Sequence, residues 1–341
     1  MMISSEKKRL LSVLQKESVD RPPVICTGGM MNTAIVDIMR CTRYALPQAH
    51  FDSLLMSELA YEVHRSTGFE NIGIPFCMTV EAEVLGSDID FGTLECEPKI
   101  AKERFGSIKD AQFPNASVLI TKGRIPQICE AAKLLSERYP SIPVIGNLTG
   151  PISTAASVID PVTFYKELRK FPDIAHRVLS QITDFLIAYA LALVKNGVSV
   201  ISVGDPSATG EILGPKLFEE YVIPYINRLI DSVNQSRVPV IIHICGDLNP
   251  VRHLLQLIHP QAISTDAMVN LASLKREFPG LITMGNVSTY ALENNNEEKI
   301  KNITYRLINE GINILSPACG LSTSTPLSNI RALTDTVKGY R

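Results

Sequence analysis

One unit recurs about eight times along this chain: a short, continuous apolar run, a turn of glycine, proline or small polar residues, then a longer stretch with helical periodicity. Unbroken apolar runs suit strands buried on both faces, and strand–helix alternation implies parallel strands joined by crossover helices. With 341 residues, 45% of them apolar, the chain can close such a sheet on itself. The expected fold is therefore an α/β (β/α)8 barrel, a TIM barrel, rather than an open doubly wound sheet. No repeat, linker or low-complexity segment interrupts the pattern, so a single domain over residues 1–341 is expected.

The unit boundaries follow from local chemistry. Ser4 or Ser5 caps an N-terminal helix reaching about Gln15, which Arg21-Pro22-Pro23 ends; Pro23–Thr27 is a first strand, and Gly28-Gly29 supplies a turn before Met30, Met31 and Asn32. A helix is expected from Pro47 to Ser66 on the stripe Phe51, Leu55, Leu59 and Val63, followed by a strand over Asn71–Pro75. Glycines 86, 92 and 106 break the rhythm between about Val80 and Pro114, which predicts a loop and β-hairpin excursion. Strands are then expected at Pro143–Leu148, Val198–Val203, Val238–Ile244, Ala262–Asp266, Leu281–Gly285 and Ile312–Leu315, with helices between them. Gly214-Pro215 starts one of these helices, and Asn249 to about Ile258 forms another.

Two strand ends carry the chemistry. Val238-Pro-Val-Ile-Ile-His243-Ile-Cys245-Gly246 ends in an imidazole and a thiol. Side-chain alternation puts the two on one side of the strand, about 6–7 Å apart along the backbone. Ile312-Asn-Ile-Leu315-Ser-Pro-Ala-Cys319-Gly320 ends in a further thiol. At the mouth of a barrel these meet as a three-donor N/S set, which favours zinc and leaves one tetrahedral position open for chemistry. Asp266, closing Ser264-Thr-Asp266, points to the same mouth as a fourth ligand, as a carboxylate supporting the ligands, or as a helix cap. Asp205 in Gly204-Asp205-Pro206, Asn286 in Gly285-Asn286-Val287 and Cys77 in Pro75-Phe-Cys-Met-Thr are candidates to contact a bound substrate or cofactor. The remaining cysteines 26, 41, 96 and 129 are expected to be filler, and histidines 50, 64, 176, 253 and 259 ordinary and partly exposed.

Charge narrows the partners. A formal net charge of −2 without a basic block argues against nucleic acid or an anionic membrane surface. The N-terminus has no long apolar core, and no segment holds about 18 uncharged apolar residues, so no membrane span is expected and the cytoplasm is the expected location. Seven cysteines, an odd number, fit thiols and metal ligands better than a disulfide framework.

The motifs Arg9-Leu-Leu, Val19-Asp20-Arg21-Pro22, Gly150-Pro151, Gly204-Asp205-Pro206, His243-Ile-Cys245-Gly246 with Asn249-Pro250, Gly285-Asn286-Val287, and Pro317-Ala-Cys319-Gly320 with Thr325-Pro326-Leu327 span nearly the whole chain. In them it resembles the methylcobamide:coenzyme M methyltransferases, a branch of the uroporphyrinogen decarboxylase superfamily. The resemblance implies a uroporphyrinogen decarboxylase-like barrel with zinc on His243, Cys245 and Cys319. It also implies a methylcobamide (methylcorrinoid) donor on a separate corrinoid carrier protein and a small thiol acceptor, coenzyme M. At position 266 the chain departs from the pattern, with Asp where the family carries Glu, which leaves a fourth-ligand role open.

The ligand set suits thiol methylation. A zinc-bound thiol is deprotonated, and two cysteinate ligands cancel the metal's charge, so the acceptor stays electron-rich. Three other readings remain. The decarboxylases hold their substrate's carboxylates with an arginine-rich segment after the first strand, and Ile25–Ala34 contains no arginine. Methyl transfer to a tetrahydrofolate would not need an activated thiol. A non-catalytic zinc barrel that binds a corrinoid protein would want four closed protein ligands, and three are visible.

Overall fold

The apolar runs become six adjacent parallel strands in a computed structural model that describes residues 4–27 and 34–340. They are β1 (Ile72–Ile74), β4 (Val144–Thr149), β5 (Val200–Gly204), β6 (Val240–Ile244), β7 (Ala262–Thr265) and β8 (Ile282–Met284), in the order β1-β4-β5-β6-β7-β8. Every residue of these six strands is buried, as strands covered on both faces must be. A separate antiparallel hairpin joins β2 (Asp88–Asp90) and β3 (Lys99–Lys102).

Two further segments close the sheet. Ile314 bridges Met284 of β8 and Pro317 bridges Val287, while Leu315 forms a parallel bridge to Val24. On the far side of Val24, the Glu70 amide donates to the Val24 carbonyl at 2.8 Å. The Asn71 side chain then stands in for a ladder rung, accepting from the Cys26 amide at 2.9 Å and donating to its carbonyl at 2.8 Å. Six strands and these two segments make the eight positions of a closed barrel. Its apolar side chains join those of the surrounding helices in one cluster running from Leu10 to Val337.

The same seam holds the N-terminal motifs. Ser5 caps helix Glu6–Leu14, whose Arg9 reaches Asp20 at 2.8 Å and Glu70 at 2.7 Å, while Arg21 meets Glu70 at 2.7 Å. Glu70 also accepts from the Val24 amide. Two guanidiniums and two carboxylates balance: Arg9 and Glu70 are buried, each with a partner of opposite charge, while Asp20 reaches solvent.

Several elements differ from the sequence expectation. Asp52, whose carboxylate accepts from the Leu55 amide at 2.8 Å, starts the helix Ser53–Thr67; Gln48–His50 is a separate 3-10 turn. Asp is a far better N-cap than proline. Phe51 therefore falls outside the helical stripe and is 45% exposed, whereas His50 is fully buried rather than partly exposed. In the 80–114 excursion, Val80–Leu85 is a helix stopped by Gly86, and only the β2–β3 pair is hairpin. Asn249–Leu257 is 3-10 rather than α-helical. Gly214, at φ +69°, breaks the run Gly210–Leu217, a π-helical turn Phe218–Val222 follows, and Pro224 sits in the first turn of Ile223–Asn234. Helix Pro172–Lys195 is long and apolar enough to cross a membrane, yet Val178, Ile182, Phe185, Tyr189 and Leu193 bury its apolar face within the fold. The expected Gly28-Gly29 turn and Met30, Met31 and Asn32 lie outside the described residues.

Candidate metal centre

β6 delivers His243 at its end, and Cys245 follows after one residue in the loop beyond. Gly246, next in line, has φ +73°, and a Cβ there would stand 2.8 Å from the Glu211 carboxylate. Glycine thus turns the chain away directly after the thiol. Cys319 arrives from the segment that closes the barrel beyond β8, and the three donors converge. The His243 Nε2 lies 3.1 Å from the Cys245 Sγ, the two sulfurs are 3.4 Å apart, and all three donor atoms fall within 4.8 Å of one another. They are the one such group of three or more His, Cys, Asp or Glu donors among the described residues.

The environment prepares these groups for a cation. His243 is 1% exposed, and its Nδ1 lies 3.0 Å from the Oγ of fully buried Ser264 on β7, its register partner across the sheet. Proton occupancy on Nδ1 leaves Nε2 as the free donor, the arrangement typical of metal-bound histidines. The sulfurs titrate as a pair. A hydrogen bond from Cys245 draws the Cys319 thiol down against its burial, with help from His243 and the Gly320 amide. The same hydrogen bond, then burial and the charges of Cys319 and Asp266, push Cys245 far up. One proton leaves readily and the second is held until positive charge arrives. An imidazole and two such thiols fit zinc.

The other candidates occupy different surroundings. Asp266 stands close enough for its charge to act on Cys245, but it is not one of the three converging donors. Its Oδ1 accepts from the Met268 amide at 3.3 Å in a local turn. Asn286 donates from Nδ2 to the carbonyls of Asp266 and Val269, both at 2.8 Å, and so pins the loop that carries Asp266. Asp205 accepts from the Ser153 amide at 2.8 Å, the Ser153 hydroxyl at 2.6 Å and the Ile152 amide at 3.2 Å, capping helix Pro151–Val158. Burial pushes its carboxyl up to about 6 against those donors. A Cβ at Gly150 would lie 2.4 Å from that carboxylate, which accounts for the Gly150-Pro151 motif. Cys77 is buried against Arg124 and Thr79. Ser264 escaped the sequence reading, although a serine inside an apolar strand was a signal; its register against β6 was the missing knowledge.

Fold and donors define a class: a closed (β/α)8 barrel with a His/Cys/Cys donor cluster at its mouth. The uroporphyrinogen decarboxylase (URO-D) family model matches residues 5–340. Among relatives, the methylcobamide:CoM methyltransferase MtbA of Methanosarcina mazei is 33% identical over 98% of both chains. The methylcobamide:CoM methyltransferase MtaA of Methanosarcina barkeri is 31% identical over 96% of both. A solved methyltransferase structure from Methanosarcina mazei superimposes with a TM-score of 0.91 at 29% identity, covering 98% of this chain and 99% of that one. The chain belongs to the uroporphyrinogen decarboxylase family, within its branch of methylcobamide:CoM methyltransferases.

Proposed function

We propose that this protein is a zinc-dependent methyltransferase that moves a methyl group from a methylated corrinoid, carried on a separate protein, to a small thiol, coenzyme M, in the cytoplasm. The convergence of His243, Cys245 and Cys319 is the observation that carries the reading, and the relatives' names, methylcobamide:CoM methyltransferase, agree with it.

His243, Cys245 and Cys319 would hold the zinc, which when bound supplies the Lewis acidity that keeps the acceptor thiol ionised near neutral pH. The residues themselves do the positioning. Ser264 fixes the His243 ring so that Nε2 faces the two sulfurs. Cys245 and Cys319 contribute two negative charges, enough to leave a neutral metal–ligand unit and a nucleophilic acceptor sulfur. Asn286 holds the Asp266–Val269 loop over the site. In the transfer the acceptor sulfur donates a lone pair to the methyl carbon. The cobalt–carbon bond breaks with both electrons going to cobalt, so methyl-cobalt(III) becomes cobalt(I) and the thiol becomes a thioether.

The deciding experiment is methyl transfer from methylcobalamin to coenzyme M, homocysteine, other small thiols and tetrahydrofolate in parallel. Turnover restricted to thiols and lost with the metal is expected. A preference for tetrahydrofolate, or full turnover without metal, overturns the reading.

A further inference from the structure

Another thiol stands in the loop after β1, outside the three-donor group. Cys77 is 4% exposed, and its sulfur lies 3.2 Å from Nη1 of Arg124 and 3.3 Å from Oγ1 of Thr79. Nη2 of Arg124 donates to the same Thr79 hydroxyl at 2.9 Å, closing a triangle of thiol, hydroxyl and guanidinium. Arg124 is only 3% exposed; Glu83 anchors its Nε at 2.6 Å, and the rings of Phe51 and Phe91 lie 5.9 Å and 5.1 Å from its guanidinium carbon. Burial pushes the Cys77 thiol up, but the Arg124 charge, aided by His50 and Thr79, outweighs it and brings the thiol down to about 6.

His50 supplies the independent observation. It is fully buried beside this sulfur, to which one ring nitrogen hydrogen-bonds, while the other ring nitrogen has no partner. Leaving a buried polar atom unpaired costs about 1–3 kcal/mol, so a site holding one is completed by a small polar guest. A thiolate, a hydroxyl and a guanidinium gathered at one point suit a hydroperoxide.

We propose that Cys77, Thr79, Arg124 and His50 form a hydroperoxide site at which Cys77 is reversibly oxidised. The Cys77 thiolate attacks one peroxide oxygen; the sulfur–oxygen bond forms as the oxygen–oxygen bond breaks. The electron pair leaves on the distal oxygen, which takes up a proton and departs as water from hydrogen peroxide or as the alcohol from an organic hydroperoxide. Cys77 loses two electrons and becomes a sulfenic acid, while the peroxide is reduced. Arg124 keeps the sulfur anionic beforehand and neutralises the charge that grows on the leaving oxygen. Two equivalents of a small thiol restore the site. The first forms a mixed disulfide and releases water; the second frees the Cys77 thiol and leaves as the small-molecule disulfide.

The test exposes the full-length protein at pH 7 to hydrogen peroxide, traps sulfenic acid with dimedone and reads each cysteine by peptide mass spectrometry. The exposed Cys41 and Cys96 are internal references. An ordinary thiol is about 3% ionised at pH 7 and one titrating near 6 about 90%, so Cys77 should label roughly 30-fold faster than either reference. Arg124→Met should remove that advantage. Thr79→Val, which leaves the guanidinium in place, should slow labelling about tenfold and decides the matter if Arg124→Met does not fold. Small thiols should reverse the modification. Labelling of Cys77 no faster than Cys41 and Cys96, or an unchanged rate in a folded Thr79→Val, overturns the proposal.

Discussion

Replacing Ser264 with alanine separates the orientation of a ligand from the ligand itself. The Ser264 hydroxyl sits 3.0 Å from Nδ1 of His243 at a buried strand end, where water cannot take its place. Metal binding through Nε2 requires the proton on Nδ1, and without Ser264 that N–H has no acceptor. In the metal-free variant the ring can switch tautomer, so the penalty of about 1–3 kcal/mol falls on binding. At 1.4 kcal/mol per tenfold, that lowers zinc affinity about 5- to 150-fold, in line with the roughly 10–100-fold that supporting partners of metal-bound histidines are worth. Serine and alanine differ by one atom, so the barrel should melt as the parent does. Equilibrium competition with a chromophoric chelator measures the affinity, and a thermal melt of the metal-free protein checks the fold. An affinity within about twofold of the parent, well short of the supporting-partner range, would refute the claim that Ser264 sets the ring.

Cys245→Ala and Cys319→Ala should each lose most of the zinc measured by atomic emission while keeping the parent's circular dichroism, because a metal on these donors would lie at the barrel mouth and not in its core. Full occupancy in either variant would remove that cysteine from the ligand set. Asp266→Ala should lower metal affinity about 10–100-fold if the carboxylate supports the ligands, and Asn286→Ala should reproduce part of that loss by freeing the Asp266 loop; unchanged affinity in both returns Asp266 to a local turn. Gly150→Ala, whose Cβ would stand 2.4 Å from the Asp205 carboxylate, should cost about 1–3 kcal/mol in urea unfolding as the capped turn is forced apart. A stability equal to the parent's would show that the turn yields freely.

Acidification of the metal-free protein probes the ion cluster at the closing seam. Asp20, held low by its hydrogen bond to Arg9 and by that residue's charge, contributes stability above the ordinary aspartate pKa and loses it as pH falls through its depressed value. Asp20→Asn should therefore flatten the acid limb of a pH–stability curve measured by thermal melting. An acid limb as steep as the parent's would place that dependence elsewhere.

Much of this protein is local and was legible in its order of residues. Continuous apolar runs bounded by glycine and proline specify buried parallel strands, because only strands covered on both faces have no use for alternation. The two-residue spacing of His243 and Cys245 fixes both at one strand end, since covalent geometry alone holds them there. Caps were harder: Asp52 rather than Pro47 starts its helix because a side-chain hydrogen bond outweighs an apolar stripe. The remainder depended on which strands become neighbours. The approach of Cys319 to Cys245 across 74 residues, and of Ser264 to His243 across 21, exists only once the barrel closes through Val24 and Leu315 and sets its register. Asp205 and Asn286 look alike in sequence, polar residues after apolar strands, yet one carboxylate caps a helix and the other residue's amide pins a loop. That division is physical. Backbone propensity and hydrophobic pattern act over a few residues, whereas a hydrogen-bond partner or a second thiol is supplied by whichever distant segment the closed sheet brings alongside.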